Sequence, residues 1–170
     1  MIFEKATTKD APLLADAMQQ IRSSMDDPTM YVIDTEDDIR HFIDGVHGFA
    51  VLAKEQEELA GFFIFRYPDI FEEDHLGAYL ELNETQRQTV VYMDSAAVFP
   101  KFRGQGLQKQ LLLEGEKLLR GTPYTTALAT VSPDNPASLN TLLGAGYQII
   151  ATVPKYGGLL RHVLHKDLTE

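Results

Sequence analysis

Two glycines separated by one residue stand where a strong helix is about to begin. Gly104 and Gly106 follow Arg103 and precede a leucine-rich run with helical spacing. The first amides of a helix have no intrahelical acceptors, and the helix dipole places partial positive charge at that end. Glycines let an anion approach those amides closely, and an arginine offers a guanidinium that suits phosphate oxygens. The stretch fits either a phosphate cradle or an ordinary tight strand-to-helix turn.

A single carboxylate, Asp94, lies inside the otherwise apolar or small stretch VVYMDSAAV. In that setting it must face a cleft, pair with another group or carry a raised pKa, and each would suit a base or an amine-binding anion. An aspartate that faces solvent or is hydrogen-bonded to the neighbouring chain also fits. Tyr92 shares the strand face of Asp94 at period two and could assist through its hydroxyl. Glu81 and His75, in the irregular region before this strand, are further substrate-side candidates.

The elements that must position these residues follow from apolar spacing and turn residues. Helix starts are predicted at Asp10 and Pro12, at Thr35, at the glycine turn and at Asn135. Extended runs predict strands over residues 2–6, 49–54, 59–67, 89–99, 124–131, 147–153 and 159–168, the second and third forming a hairpin. A hairpin followed by strand–helix–strand–helix–strand predicts one α/β domain over residues 1–170, with a mixed sheet and helices on both faces.

The composition narrows the classes of function. A formal net charge of −10 argues against nucleic-acid binding and could favour amines, although solubility alone would explain it. The chain has no cysteine, which excludes a thiolate metal site or nucleophile and fits a reducing cytoplasm. With no signal-peptide pattern and no apolar run of about 20 residues, we expect a cytoplasmic protein and no membrane contact. His162 and His165, three apart in a strand, point to opposite faces, so we expect no metal.

The stretch AAVFPKFRGQGLQKQLL closely resembles the acetyl-CoA-binding motif of the GNAT acetyltransferase superfamily. In that family a Pro-x-aromatic-R-G-x-G turn follows a strand, and its backbone amides bind the CoA pyrophosphate. The resemblance implies that these amides belong here to Arg103, Gly104, Gln105, Gly106 and Leu107. Two positions depart from the motif: Lys101 stands where Gln or Arg is usual, and Gln108 stands where a small residue is usual.

A second segment, NPASLNTLLGAGY, resembles the later motif of the same family. There an Asn opens a helix beside CoA, and a Gly-aromatic pair begins the next strand. The matching positions are Asn135, Ser138, Gly146 and Tyr147, although Asn135 and Ser138 would also serve as an ordinary helix cap and first-turn hydroxyl. The resemblance is strongest from about residue 93 to residue 147. It implies the GNAT fold, with a mostly antiparallel central sheet of six to seven strands.

The implied reaction moves an acetyl group from acetyl-CoA to a primary amine of a small molecule or peptide by direct attack. A lysine-like amine with a pKa of about 10.4 needs a base, and the thioester oxygen needs a hydrogen-bond donor. The resemblance implies a donor amide around Ala97, Val98 and Phe99. The family's tyrosine acid, seven residues after the Asn, is replaced by Leu142, so Tyr156 or water is the substitute candidate. We expect Tyr147 to pack in the core.

Two rival functions remain open from the sequence. The replacement at Leu142 also suits a non-catalytic acyl-CoA-binding or regulatory module of the same fold. An interaction domain with a purely structural glycine turn is the other rival. In the resembled family, acceptor contacts come from the variable first helices and the loop after the hairpin, here about 26–38 and 68–86. Nothing there names the amine, and whether the chain forms a homodimer is also left open.

Overall fold

The computed structural model describes residues 1–28, 33–155 and 157–169. Its strands are β1 Ile2–Lys5, β2 Gly48–Glu55, β3 Glu58–Arg66, β4 Val90–Val98, β5 Thr126–Val131, β6 Gln148–Lys155 and β7 Leu159–Asp167. Its α-helices are α1 Ala11–Ser23, α2 Glu36–Phe42, α3 Glu84–Arg87, α4 Leu107–Leu119 and α5 Pro136–Gly144. Short 3-10 helices cover Thr8–Asp10, Leu76–Leu80 and Pro100–Phe102.

The described strands form one seven-stranded sheet in the order β1-β2-β3-β4-β5-β7-β6. Neighbouring strands are antiparallel except β4 and β5, which are parallel because α4 carries the chain back between them. The predicted mixed, mostly antiparallel sheet of six to seven strands is therefore confirmed.

Alternating residues of β2 and β3 build a core on each face of the sheet. Phe63 and Phe65 pack with residues of α4 and α5 on one face. Phe62 and Ile64 pack with α1 and α2 on the other. The prediction of helices on both faces is confirmed, and its cause is the period-two pattern of the buried hairpin.

Two helices begin at the residues that the sequence predicted, and a side chain caps each of them there. The Asp38 amide donates to Thr35 Oγ1 at 3.1 Å, and the Ser138 amide donates to Asn135 Oδ1 at 3.2 Å. In the irregular region before β4, most of the residues from Gly77 onward in the stretch GAYLEL belong to the 3-10 helix Leu76–Leu80.

Strand β4 separates from β5 in the middle of the sheet. Only Val90–Tyr92 pair with Thr126–Leu128, although both strands continue beyond that point. On its other side β4 has a bulge, because Met93 pairs with Phe65 and Ser95 with Ile64, leaving Asp94 between them without a partner in the register. The divergence opens a cleft on the side of the sheet where the glycine turn lies.

Candidate functional site

The glycine turn precedes α4 in the conformation that glycine favours. Gly104 and Gly106 have φ angles of +83° and +70°, and a Cβ on either would meet nothing within 4 Å. The first bond of the helix runs from the Gln110 amide to the Gly106 carbonyl at 3.1 Å. The amides of the first three helical residues therefore have no intrahelical acceptor. The turn leaves donors and open space side by side, as an anion site requires.

A groove of about 410 Å³ runs from this turn to the end of β4 and the start of α5. We call it the glycine groove. Most of the predicted cofactor-binding residues line it, namely Ala97, Val98, Arg103, Gly104, Gly106, Leu107, Asn135 and Ser138. The predicted residues Gln105 and Phe99 are not among those that line it.

At the end of β4, the amides of Val98 and Phe99, both predicted as donors to a ligand, face opposite sides of the strand. The Phe99 amide donates to the Ala60 carbonyl at 2.9 Å, so it completes the ladder toward β3. The Val98 carbonyl instead accepts from Arg103 Nε at 3.0 Å. Because the peptide groups of successive strand residues face opposite sides, the Val98 amide also faces away from β3. Val98 is thus better placed than Phe99 to donate toward a ligand.

Of the two departures from the motif, only one reaches the groove. Lys101 pairs with Glu58 at 2.9 Å and does not line the groove. The Gln108 side chain donates to Ser138 Oγ at 3.1 Å, and Asn135 Nδ2 lies 3.3 Å from the same oxygen. Gln108 therefore links the first turns of α4 and α5 across the groove.

A second cavity of about 430 Å³ continues directly from the glycine groove. The two share Ala96, Gln108, Asn135 and Ser138 in their linings. This central cleft lies where β4 and β5 diverge, and its other lining residues include Asp34, Phe42, Arg66, Asp94, Leu142 and Arg161. The phosphate-type site and the carboxylate predicted separately from sequence thus belong to one continuous depression.

Asp94 lies at the bulge with its side chain 22% exposed, embedded in protein yet open to the central cleft. Arg66 Nε lies 3.4 Å from its Oδ1, and Arg66 Nη1 lies 3.0 Å from Glu72 Oε1. Burial raises the pKa of Asp94, while the nearby Arg66 lowers it by a smaller amount. The guanidinium also lies over the rings of Tyr92 and Phe42, at 4.9 and 5.4 Å from their centroids. Arg66 was not singled out by the sequence pattern, which shows it only as the last residue of a strand.

A further carboxylate in the cleft, Asp34, was also missed. It lies just before the cap of α2, half-buried, and lines the central cleft with Asp94. Burial first, then the charges of Asp94 and Asp38, raise its pKa from 3.8 to about 6, while Arg66 acts in the opposite direction. Within an acidic stretch, nothing local distinguishes Asp34 from its neighbours, because its environment comes from β3 and β4.

Three other predicted residues, Tyr92, His75 and Glu81, line neither the groove nor the central cleft, although Tyr92 lines a side pocket next to the cleft. The Tyr92 hydroxyl accepts from the Leu76 amide at 2.8 Å, and burial raises its pKa. His75 is buried, its Nδ1 accepts from the Gly77 amide, and burial lowers its pKa; neither His75 nor Glu81 lines the groove or the cleft. Tyr156 lies outside the described residues.

Leu142 lines the central cleft and is buried, so an aliphatic side chain stands where the resembled family often has a tyrosine. Tyr147 is 2% exposed, and its hydroxyl donates to Glu116 Oε2 at 2.9 Å. The expectation that Tyr147 packs in the core is confirmed.

A side pocket of about 240 Å³ extends the cleft toward the segment after β3. It shares Arg66, Met93, Asp94 and Thr130 with the central cleft. Its own lining adds Glu72, Glu73, Asp74 and Lys155. The predicted acceptor region 68–86 thus contributes acidic groups next to Asp94.

One possible metal-ligand set occurs among the described residues, away from both cavities. His41, Asp44 and His47 offer ligand atoms within 4.8 Å of one another near the end of α2. Asp44 Oδ2 lies 2.8 Å from His47 Nδ1. His41 and His47 are therefore neighbours, with ring centroids 3.7 Å apart, and the His41 ring lies 6.1 Å from the ring of Phe42, which lines the central cleft.

No helix in the described part of the chain has the length and apolar character to cross a bilayer. No curated protein matches the sequence significantly. Among solved structures, YncA from Salmonella typhimurium, determined with its cofactor acetyl-CoA, is 18% identical with a TM-score of 0.73, covering 100% of this chain and 95% of its own. NAA60 from Arabidopsis thaliana in complex with acetyl-CoA is 13% identical with a TM-score of 0.77, covering 99% of each chain.

A ribosomal-protein-alanine N-acetyltransferase from Brucella melitensis is 16% identical with a TM-score of 0.72, covering 98% of this chain and 99% of its own. At these identities the similarity shows a shared fold. The sequence itself matches the description "Acetyltransferase (GNAT) family" over residues 16–147, which includes the glycine turn and the helices α4 and α5. This chain therefore belongs to the GNAT family of acetyltransferases and is an acyltransferase.

Proposed function

We propose that the chain transfers an acetyl group from acetyl-CoA to a primary amine of a small molecule or peptide by direct attack. The observation that carries this proposal is the continuity of the glycine groove with the central cleft, which Asp34 and Asp94 line, through Ala96, Gln108, Asn135 and Ser138. A donor bound in the groove would present its thioester where the cleft begins. Two similar structures that contain acetyl-CoA, those of YncA and NAA60, support the choice of donor.

The groove offers separate contacts for the two ends of the donor. The free amides at the start of α4, with the helix dipole, would bind the pyrophosphate. The Val98 amide would donate to the thioester oxygen as negative charge develops on it during attack. Gln108, which donates to Ser138 Oγ from α4, would hold the two walls of the groove together at the passage to the cleft.

The cleft offers anions to a cationic acceptor. Asp34 and Asp94 line the central cleft with Arg66 and Arg161, and the side pocket adds three acids, Glu72, Glu73 and Asp74, against one further cation, Lys155. We propose Asp94 as the anion nearest the acceptor's ammonium group, and Tyr92 as a residue that positions Arg66 through its ring. The role of Tyr156 as an acid stays a prediction.

The proposal is tested by following free-thiol release from acetyl-CoA across a panel of primary amines, from monoamines to diamines and basic peptides. We expect amines that carry a positive charge to raise release well above hydrolysis. Thermal stabilisation by acetyl-CoA with no amine-dependent release would contradict the proposed transfer and favour a non-catalytic acyl-CoA-binding module.

The binding half is tested by Gly106→Glu, which places a carboxylate among the amides that would hold the pyrophosphate. We expect the thermal shift with acetyl-CoA to disappear. Gly121→Glu is the matched control, because Gly121 has a similar φ of +79° and equally open surroundings but lies beyond α4, outside the groove. An unchanged shift in Gly106→Glu would show that the turn is not the phosphate site.

We also propose that residues 1–170 act as one domain, an idea supported by a single sheet whose strands span Ile2 to Asp167. A cytoplasmic location stays a prediction, and whether the chain forms a homodimer stays open.

A further inference from the structure

The central cleft holds two carboxylates in different surroundings, and only one has a cationic partner. Asp94 is paired with Arg66, which also holds Glu72. Asp34 lines the same cleft, yet among residues 1–28, 33–155 and 157–169 it forms no hydrogen bond or ion pair. A half-buried carboxylate without a partner is costly, so its retention at a cleft calls for a chemical reason.

We propose that Asp34 is the base that takes the proton from the acceptor's ammonium group, while Asp94, paired with Arg66, is the anion that holds that group. This inference rests on the proposed function. It assigns a catalytic role to a residue in the segment before α2, outside both motif segments.

The arrangement divides the work between the two carboxylates. Burial raises the pKa of Asp94, and Arg66, which lies 3.4 Å away, opposes that rise and favours the ionised form that a fixed anion requires. Asp34 carries no such partner, and burial together with the charge of Asp94 raises its pKa to about 6. A base with a pKa nearer to the working pH accepts a proton more readily than one at 3.8 while remaining ionised at neutral pH.

The proposed step balances as follows. The ammonium group gives one proton to the Asp34 carboxylate, and the free amine attacks the thioester carbonyl carbon. The C–N bond forms, the C–S bond breaks, and the second amine proton goes to the departing thiolate of CoA. The Asp34 carboxyl then releases its proton to solvent, so the products are the amide, free CoA and one proton.

The charged groups that face Asp34 determine its titration. Asp94 on β4 and Asp38 on α2 raise its pKa, and Arg66 on β3 lowers it. Arg161 on β7 also lines the central cleft. Glu72, which pairs with Arg66, lines the side pocket. The fall of kcat/KM toward low pH, which we call the acid limb, reports the titration of Asp34 and Asp94 together, because the two carboxylates interact. Variants of each residue separate the two contributions.

The deciding experiment measures kcat/KM against pH for wild type, Asp34→Asn and Asp94→Asn with the best amine of the panel. We expect wild type to lose activity below an apparent pKa near 6. Asp34→Asn should lower kcat/KM by about 100-fold at pH 7.5 and abolish that limb. Asp94→Asn should weaken acceptor binding but keep the limb, moved to lower pH, because the charge that raises the pKa of Asp34 is gone.

Three controls make the result decisive. Asp37→Asn changes a 93% exposed carboxylate in the same segment and should stay within about twofold of wild type. Asp34→Glu should restore a limb, and Asp34→Asn should keep the full thermal shift with acetyl-CoA.

Two outcomes would overturn the assignment. An Asp34→Asn enzyme that keeps the limb near pH 6, with Asp94→Asn losing it, would transfer the role to Asp94 while the proposed function stands. A wild-type enzyme that turns over no amine would overturn the proposed function itself, and this inference with it.

Discussion

At the residue scale, Arg66 organises the charged part of the cleft. Its guanidinium joins Asp94 on β4 to Glu72 in the segment after β3, and aromatic rings lie beneath it. Burial disfavours its charge, but the two carboxylates more than compensate, so its pKa is raised. The cation therefore stays charged at every working pH and lowers the pKa values of Asp94 and Asp34 against the larger, opposite effect of burial.

Replacing Arg66 by Met should move the acid limb of kcat/KM to higher pH. Arg66 lowers the pKa of Asp34, so its loss lets that pKa rise above about 6. The limb is read from the same pH profiles, with Arg40→Met as the control, since Arg40 pairs with exposed acids of α2 instead. A limb at unchanged pH would show that Arg66 does not act on the titrating group.

Asp34 should also cost the protein stability. Its pKa is raised from 3.8 in the unfolded chain to about 6 in the folded one, so the folded state binds the proton more tightly. By linkage, the group's contribution is most favourable below pH 3.8 and declines as pH rises through about 6.

Asp34→Asn should therefore raise the melting temperature at pH 7.5 and change it little near pH 4. Thermal unfolding of wild type and variant at the two pH values measures the difference. Equal effects at both would mean that the carboxylate is not destabilised by its surroundings. A functional carboxylate in a cleft is expected to lower the stability of the fold when it is ionised.

At the element scale, the site forms where β4 departs from regular strand pairing and where α4 packs closely against the sheet. The bulge at Asp94 removes one residue from the register with β3, and pairing with β5 ends after Tyr92. Helix α4 then packs against the hairpin through Gly115, which lies against the Phe65 ring. The close approach fixes where the first turn of α4, and so the glycine groove, lies relative to the sheet.

Gly115→Ala should destabilise the protein although alanine is the better helix former. A Cβ at residue 115 would fall within the Phe65 ring, and such overpacking costs about 1–3 kcal/mol, more than the roughly 1 kcal/mol gained in propensity. Gly144→Ala in α5 is the matched control, because its Cβ would meet only the flexible Lys109 Nζ at 3.6 Å. Chemical denaturation compares the two, and a more stable Gly115→Ala would show that the ring moves aside freely.

At the scale of the whole molecule, the net charge of −10 acts in opposite directions on the two proposed substrates. The net negative charge attracts a cationic amine. It repels acetyl-CoA, which is itself an anion and is attracted locally by the glycine turn and its arginine. Both long-range effects are screened by salt over a length of about 10 Å at 0.1 M.

Raising the salt concentration from about 20 to 200 mM should therefore increase KM for the amine, most strongly for a dication, and leave KM for acetyl-CoA unchanged or lower. Initial rates with a monoamine and a diamine of similar length measure the difference. Equal salt dependence for the two amines would mean that the charge of the acceptor is not attracted by the acidic molecule as a whole.

The features that were predictable from the sequence are those encoded by neighbouring residues. The strand, glycine turn and leucine-rich helix around Gly106 are contiguous, and Asn135 caps the helix that it begins. The order of the elements, a hairpin followed by strand–helix–strand–helix–strand, indicated a sheet covered on both faces, and the continuous buried runs of β2 and β3 agree with it. The identity of the residue facing a ligand was less accessible: Phe99, chosen with Val98, gives its amide to Ala60.

The sequence by itself determined the fold class, the family and the position of the glycine turn, because each depends on residue types at short, regular spacing. Only the tertiary structure decided which charges share the cleft. Asp34, Arg66, Glu72 and Asp94 come from four separate segments, and they meet because strand pairing brings β3 beside β4 and a bulge turns Asp94 into the opening. Long-range register leaves no local trace in a sequence, so Asp94 could be noticed there, but its partners could not.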